Sequence, residues 1–305
     1  MSAGLVPRGW DMSRVESLAG RRYVITGGTS GLGLASASAL SAKGAHVTIT
    51  ARSAVKAQRV LDTGGATDVI EMDLTDLASV RDAASRVRET YDVVILNAGV
   101  MWTPYVLTTD GFELQVGTNH LGHFAFAGLI KDFIGERLVS VSSAYHRFGT
   151  FGDHSEAEIR RRCRGEAPYS SRSAYADSKL ANLLFTNEVE RRRAIHGWAF
   201  IALGAHPGWS NTHLFDIARE KTSVMSVMTS LSSRFLAQSA TRGALPQLCA
   251  ATFAGLRGGE YLGPRGPGEL RGTPQVTTTS ALARDDVLAS NLWKVSQELT
   301  GVSWE

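Results

Sequence analysis

The sequence predicts an α/β fold: a single doubly wound parallel sheet of about seven strands, with helices on both faces. Three observations predict it. Short Val/Ile-rich runs alternate with helix-length segments along the 305 residues, the pattern of a sheet buried on both sides. The first apolar run breaks at a cluster of glycines that opens directly onto a helical segment. No stretch has the composition of an interdomain linker, so the length belongs to one domain with inserts.

The elements follow in order. Strands are expected at 23–26, 46–51, 69–72, 93–97, 138–142, 200–205 and 260–262. Each is a short run rich in β-branched residues and bounded by turn formers. Helices are expected at 32–43, 54–61, 77–89, 112–133, 173–195, 237–254 and 284–300, where apolar residues recur at helical spacing. Residues 258–274 are dense in Gly and Pro and read as an irregular excursion. The domain is expected to span 11–305. Residues 1–10 are set aside as a leader or tag remnant, because Leu5-Val6-Pro7-Arg8-Gly9 resembles a thrombin cleavage site.

Composition excludes several classes. Hydrophobic residues make up 43% and charged residues 20%, which suits a globular protein and not a disordered one. A net charge of +3 is close to neutral at this length and gives no support to nucleic-acid binding. No apolar run approaches the ~18 residues of a membrane helix. Two cysteines, Cys163 and Cys249, cannot form a disulfide framework, and a reducing, cytoplasmic setting is expected. His120, His123, His146, His206 and His213 lack metal-ligand spacing; they are read as structural, and no metal is expected.

The glycine cluster reads Thr26-Gly27-Gly28-Thr29-Ser30-Gly31-Leu32-Gly33. Gly27 lets the chain turn where a side chain would clash. Gly31 lets the backbone approach a pyrophosphate, and Gly33 lets helix and strand pack closely. The helix N-terminus then offers free N–H groups to the phosphates. Strand before and helix after is the context a dinucleotide-binding Rossmann turn requires. At the end of the second strand, where an acidic residue would bind the ribose 2′-hydroxyl of NAD, Arg52 stands instead. A guanidinium suits a 2′-phosphate, so NADP(H) is the expected cofactor. Ser30 adds a hydroxyl beside the same phosphate.

Tyr175 and Lys179 are four residues apart on an expected helix and share a face. A tyrosine with an unperturbed pKa near ~10 is a poor proton carrier at neutrality, and a nearby ammonium lowers that pKa. The pair fits general acid–base work. Upstream, Val139-Ser140-Val141-Ser142-Ser143 ends a strand at the carboxyl edge of the sheet. There Ser143 can donate to a carbonyl oxygen as it gains charge.

These residues resemble the short-chain dehydrogenase/reductase family. The likeness runs from about Leu18 to Gly208. It is carried by Thr26–Gly33, Asp73-Leu74, Asn97-Ala98-Gly99, Asn119, Ser143, Tyr175 with Lys179, and Pro207-Gly208. The surrounding segments look most like the retinol-dehydrogenase-like and protochlorophyllide-reductase-like branch. The resemblance implies that Tyr175 passes a proton to or from the substrate oxygen, that Lys179 lowers its pKa and holds the nicotinamide ribose, and that Ser143 orients the carbonyl or alcohol. Asn119 would hold a water linking Lys179 to solvent. Asp73 would reach the adenine amine, with Leu74 beside it. Asn97 would knit neighbouring strands, with Ala98 following it, and Gly99 would give the backbone close approach to the adenosine ribose. Pro207-Gly208 would lie against the nicotinamide, and Thr212 would contact its carboxamide. Trp209 is either a wall near the nicotinamide or simple packing.

Tyr175 follows Ser143 by 32 positions, longer than in many family members. The insert at about 146–172 carries an arginine cluster that reads as a solvated helix face rather than a substrate or membrane contact. Residues 212–236 are expected to form a substrate lid. Met101, Trp102, Phe215, Met225, Met228 and Phe235 are candidates for an apolar cleft rim. The expected function is NADP(H)-dependent interconversion of a carbonyl and an alcohol on a lipophilic small molecule, retinoid-, steroid- or natural-product-like, by a homodimer or monomer. A non-catalytic NADP-binding sensor would bind the same cofactor but would normally lack the Tyr–Lys pair. A nucleotide-sugar epimerase would normally have a larger substrate domain.

Overall fold

The structure, a computed structural model, describes residues 6–208 and 239–304. Trp209, Thr212 and the expected lid at 212–236 lie outside the described residues.

Strands β1 (Arg22–Ile25), β2 (His46–Ala51), β3 (Asp68–Glu71), β4 (Tyr91–Leu96), β5 (Ile134–Val141), β6 (Ile201–Ala205), β7 (Tyr261–Pro264) and β8 (Pro274–Thr277) form one sheet. Its order is β3-β2-β1-β4-β5-β6-β7-β8. Every pairing is parallel except β7 with β8. Successive residues point to opposite faces, and both faces are buried. Tyr23 and Ile25 of β1 and Val93 and Ile95 of β4 enter one apolar core. Val24, Val94 and Leu96 enter the other. This double cover explains why the strands read as continuous apolar runs.

The helices are α1 (Gly31–Ser41), α2 (Ala54–Asp62), α3 (Leu77–Ser85), α4 (Leu114–Val116), α5 (Gly122–Leu129), α6 (Glu156–Cys163), α7 (Ser171–His196), α8 (Ala240–Gly243), α9 (Leu245–Thr252) and α10 (Asp286–Thr300). The strand order reverses between β1 and β4. That switch point opens a crevice at the carboxyl ends of the strands, where the ligands of such sheets bind.

Three differences from the sequence reading matter. The sheet has eight strands rather than about seven. The extra strand, β8, is antiparallel and follows the Gly/Pro-rich stretch, in which Arg265 N donates to Thr273 O at 2.8 Å and Gly266 N to Arg271 O at 2.9 Å. The expected helix at 112–133 is interrupted by a π turn, Gly117–Leu121, in which the Gly122 N–H reaches the Gly117 carbonyl five residues back. Residues 6–10, set aside from the fold, pack into it: Val6 and Trp10 are buried in the same core as β1.

The insert folds as α6 against α7 and α10. The arginines of α6 are engaged: Arg160 with Glu298, Arg161 with Glu158, and Arg162 with both Glu158 and Asp177. Arg164 donates to Asp110 O at 3.0 Å and lies over the Phe112 ring. The cluster is an internally paired helix face. Among the described residues no helix is long and apolar enough to cross a membrane.

Candidate active site

The glycine turn leaves β1 at the switch point. Gly27 has φ +68°, a left-handed conformation that favours glycine. A Cβ there would sit 2.9 Å from that of Ala98. At Gly33 a Cβ would collide with the Gly27 carbonyl, and at Gly28 with the Ile49 side chain. Gly31, with φ +54°, opens α1, followed by Leu32. Ser30 precedes α1 with an extended backbone and makes no side-chain cap bond. Ser30 and Thr29 line a cleft of about 590 Å³ together with Leu34, Lys56, Arg59, Val60 and Thr63. Arg52 is exposed at the end of β2. The bare backbone and the adjoining cations fit a dinucleotide carrying an extra phosphate. Gly28, Lys56 and Arg59 were missed from sequence, although Gly28 stood in plain view within the motif.

The floor of the crevice is one hydrogen-bonded network. Thr26 Oγ1 accepts from Asn97 N at 2.9 Å and Ala98 N at 3.0 Å. It lies 2.8 Å from His123 Nε2. With two N–H donors already on that oxygen, the threonine proton points to the ring, so His123 accepts at Nε2. Its Nδ1–H then donates to Asn119 O at 3.0 Å. Burial pushes the His123 pKa down to about 4, which keeps the ring neutral at physiological pH. Asn97 Nδ2 donates to Thr26 O at 2.9 Å, and Gln247 of α9 donates to Asn97 Oδ1 at 3.1 Å. Asn97 thus ties β1 to β4, as its position implies.

The π turn sets Asn119 between the loop after β4 and helix α7. Its Oδ1 accepts from Val100 N at 2.8 Å, and its Nδ2 donates to Val100 O and to Ser178 Oγ, each at 2.9 Å. π turns recur at functional sites. Gly99 leaves the space in front: a Cβ there would lie 3.0 Å from Asn119 Oδ1 and 3.5 Å from Lys179 Nζ.

Ser170 caps α7, which presents Tyr175 and Lys179 on its buried face. The Lys179 ammonium donates to Val141 O at 3.1 Å and lies 5.8 Å from the Tyr175 ring centroid. Burial lowers its pKa to about 8. Burial pushes Tyr175 up to about 12, with a hydrogen bond from Ser143 working in the opposite direction. In this geometry burial governs the tyrosine, and the lysine spends its donor on the strand carbonyl. Ser143 sits at the end of β5, and its Oγ also accepts from Tyr145 N at 3.1 Å. Ser142 turns inward and donates to Lys179 O at 2.7 Å, so its hydroxyl is satisfied by backbone.

Asp73 is half-buried and its Oδ1 accepts from Thr75 N at 2.9 Å, while Leu74 is buried against Gly122. Gly208, with φ +68°, turns the chain after β6 beside Pro207. Its N–H donates to His206 Nδ1 at 3.2 Å, and His206 Nε2 lies 2.9 Å from Glu269 Oε2. His146 Nδ1 donates to Ser143 O at 2.7 Å and its Nε2 accepts from Ser280 N at 3.1 Å. Sequence reasoning missed Glu269, which reaches the site from the stretch it took as irregular, and Ser280, which follows β8 in a segment it gave no element.

The family model for short chain dehydrogenases matches residues 21–152. Mouse retinol dehydrogenase 12 is 34% identical over 94% of this chain and 88% of its own length. This chain belongs to the short-chain dehydrogenase/reductase family, in its retinol-dehydrogenase-like branch. An uncharacterised protein of the same fold from Mycobacterium paratuberculosis superposes with a TM-score of 0.81 at 37% identity, covering 97% of this chain and 99% of that one. A short-chain dehydrogenase from Burkholderia cenocepacia, solved with NADP, gives a TM-score of 0.61 at 25% identity, covering 81% of this chain and 96% of that one. Membership makes the protein an oxidoreductase by family.

Proposed function

We propose that this short-chain dehydrogenase/reductase uses NADP(H) to interconvert a carbonyl and an alcohol on a lipophilic small molecule. The observation that carries the reading is the buried Tyr175 hydroxyl beside Ser143, with Lys179 on the same helix face. Bound NADPH would supply the hydride at its nicotinamide carbon. The chain's residues do the rest. Ser143 donates to the substrate oxygen as charge develops there. Tyr175, held protonated by burial, delivers the proton to that oxygen. Lys179 stands close enough to stabilise the phenolate left behind. A tyrosine whose pKa is pushed to about 12 is protonated at neutral pH, the state that can donate to a carbonyl oxygen. Asn119 buttresses Lys179 through Ser178 and Val100.

NADP over NAD is supported by Arg52, by the Lys56 and Arg59 cations beside the glycine turn, and by the absence of an acidic residue after β2. Asp73, Leu74, Gly99, Pro207 and Gly208 line the remaining course of a dinucleotide across the switch point. A lipophilic substrate is supported by the rings of Trp102, Tyr145 and exposed Phe148 beside Tyr175. Free, buried Cys163 and Cys249 suit a reducing, cytoplasmic setting. The one-domain reading of 11–305 rests on a sheet whose strands come from both ends of the chain. With α6 and α10 packed on α7, that face of α7 is covered within the chain, which favours the monomer over a dimer formed there.

The test follows NADPH absorbance with ketones and aldehydes, and NADP⁺ reduction with the matching alcohols. The expected result is NADPH oxidation by apolar carbonyls. Tight NADPH binding with no turnover across the panel would instead support a non-catalytic sensor.

A further inference from the structure

The arginines of the insert divide into two kinds. Arg147, Arg160, Arg161, Arg162 and Arg164 each meet a carboxylate or a backbone carbonyl. Among the described residues Arg172 meets neither. Its guanidinium carbon lies 5.4 Å over the Trp102 ring, and it is exposed. It stands in the first turn of α7, three residues before Tyr175, and therefore on the same helix face.

Trp102 is itself held in place. It has φ +54°, a left-handed backbone that is unfavourable for a bulky residue. Its N–H donates to buried Gln115 Oε1 at 2.7 Å, and Gln115 Nε2 donates to Ser171 O at 2.9 Å, at the head of α7. A strained residue kept in position by a buried side chain points to a function for its ring. That ring packs edge-on against Tyr145 at 5.8 Å, and Tyr145 lies 5.8 Å from Tyr175. Phe148, 68% exposed, continues the wall 5.1 Å from Tyr145. From the proton donor outward the surface is therefore aromatic, and it ends in a planar cation with no carboxylate or carbonyl partner among the described residues.

We infer that the substrate carries a carboxylate at the end remote from its reacting carbonyl, and that Arg172, stacked on Trp102, binds it. An apolar or aromatic body between the two groups would lie along Tyr145 and Trp102. The stacking fixes the guanidinium plane, leaving its N–H edge to donate two parallel bonds to a carboxylate. An aromatic face also strengthens the hold on the cation. The inference rests on the carbonyl–alcohol reading of the site and narrows its substrate class to amphipathic keto- or hydroxy-acids.

The probes are para-acetylbenzoate, its phenylacetate and phenylpropionate homologues, and the methyl ester of each. Binding to the enzyme–NADP⁺ complex is measured by calorimetry, so that no turnover is required. At least one acid is expected to bind about tenfold or more tightly than its own ester, the scale of one charge-assisted contact. Arg172→Gln should bring that acid-to-ester ratio to near one. Arg172→Lys should keep part of it. Because the ratio compares two ligands on one protein, a general loosening of the cleft does not mimic the result. No acid preference in the unsubstituted enzyme, or a preference that survives Arg172→Gln, overturns the inference. Turnover of the neutral esters with NADPH reports separately on the oxidoreductase reading, which can stand while the carboxylate site falls.

Discussion

His206 Nε2 lies 2.9 Å from Glu269 Oε2, and this pair ties the end of β6 to the β7–β8 connection. The other ring nitrogen accepts from Gly208 N at 3.2 Å. Nε2 must therefore carry the proton and donate it to the carboxylate. The hydrogen bond to His206 and the one from Thr277 hold the Glu269 pKa below its usual range, the former as the larger cause. Pro207 and Gly208 thus hang from a buried imidazole whose tautomer is set by a residue 63 positions away. Replacing Glu269 with Ala should leave the ring free to turn and the Gly208 N–H without a fixed acceptor. NADPH affinity is expected to drop about tenfold, the scale of one lost charge-assisted bond. Fluorescence titration measures it, with circular dichroism to show an intact fold. An unchanged Kd would mean that the turn is held by its own packing.

Tyr175→Phe removes one oxygen from a residue that is 6% exposed. The ring and its 5.8 Å contact with Tyr145 remain, so cofactor binding should be nearly unchanged. Turnover should fall by about 10²–10⁴, the usual scale for a positioned acid. Stopped-flow measurement of NADPH oxidation checks the rate. Turnover within a few-fold of the original would move the proton transfer to another group.

Much of this site was legible before the fold was known, for a physical reason. A phosphate turn needs bare backbone, and glycine is the only residue that supplies it, so Gly27, Gly31 and Gly33 announce themselves. A tyrosine and lysine four apart on a helix share a face without any tertiary information. The strands were legible because burial on both faces demands unbroken apolar runs. The π turn around Asn119 was not legible, since one extra residue per turn leaves the apolar pattern almost unchanged. Nor was β8, whose Pro274 argues against a strand except at an edge, which is where it lies. The glycines of 258–272 read as irregular chain, yet a Cβ at Gly263 would collide with the His206 ring. His206 and Glu269 carry no spacing signal because only the fold brings them together.

Arg52 carries the expected preference for NADP. It is exposed and has no ion-pair partner among the described residues, so its donors are free for a phosphate. Arg52→Ala should weaken NADPH binding about 10- to 100-fold, as for a lost charge-assisted contact, and leave NADH binding almost unaltered. Lys56→Ala and Arg59→Ala should cost less, a few-fold at most, and the loss should shrink as salt is added. Titration with both cofactors at low and high ionic strength separates these effects. Equal losses for NADPH and NADH would remove Arg52 from the 2′-phosphate.

Three buried histidines should make the fold sensitive to acid. Burial lowers His120 to about 3 and His123 and His146 to about 4. Each is neutral in the folded state: His120 Nε2 donates to Ser296 Oγ at 2.8 Å, where the serine proton is already given to Leu292 O. Above pH ~6.5, the value for an unfolded histidine, neither state takes up protons at these residues and their contribution is complete. As pH falls below that value, the unfolded chain binds protons that the folded one refuses. Stability is then lost at ~1.4 kcal/mol per unit per histidine, until the folded pKa values near 4 and 3 are reached. Glu113 works in the opposite sense, because burial raises its pKa and the folded state takes up its proton first. Urea denaturation should therefore show a midpoint that falls steeply from pH 6.5 to 4.5. In His120→Asn, whose amide can still donate to Ser296, the slope should lose about one histidine's share. A midpoint that is flat across that interval would mean that the three rings find water in the folded state.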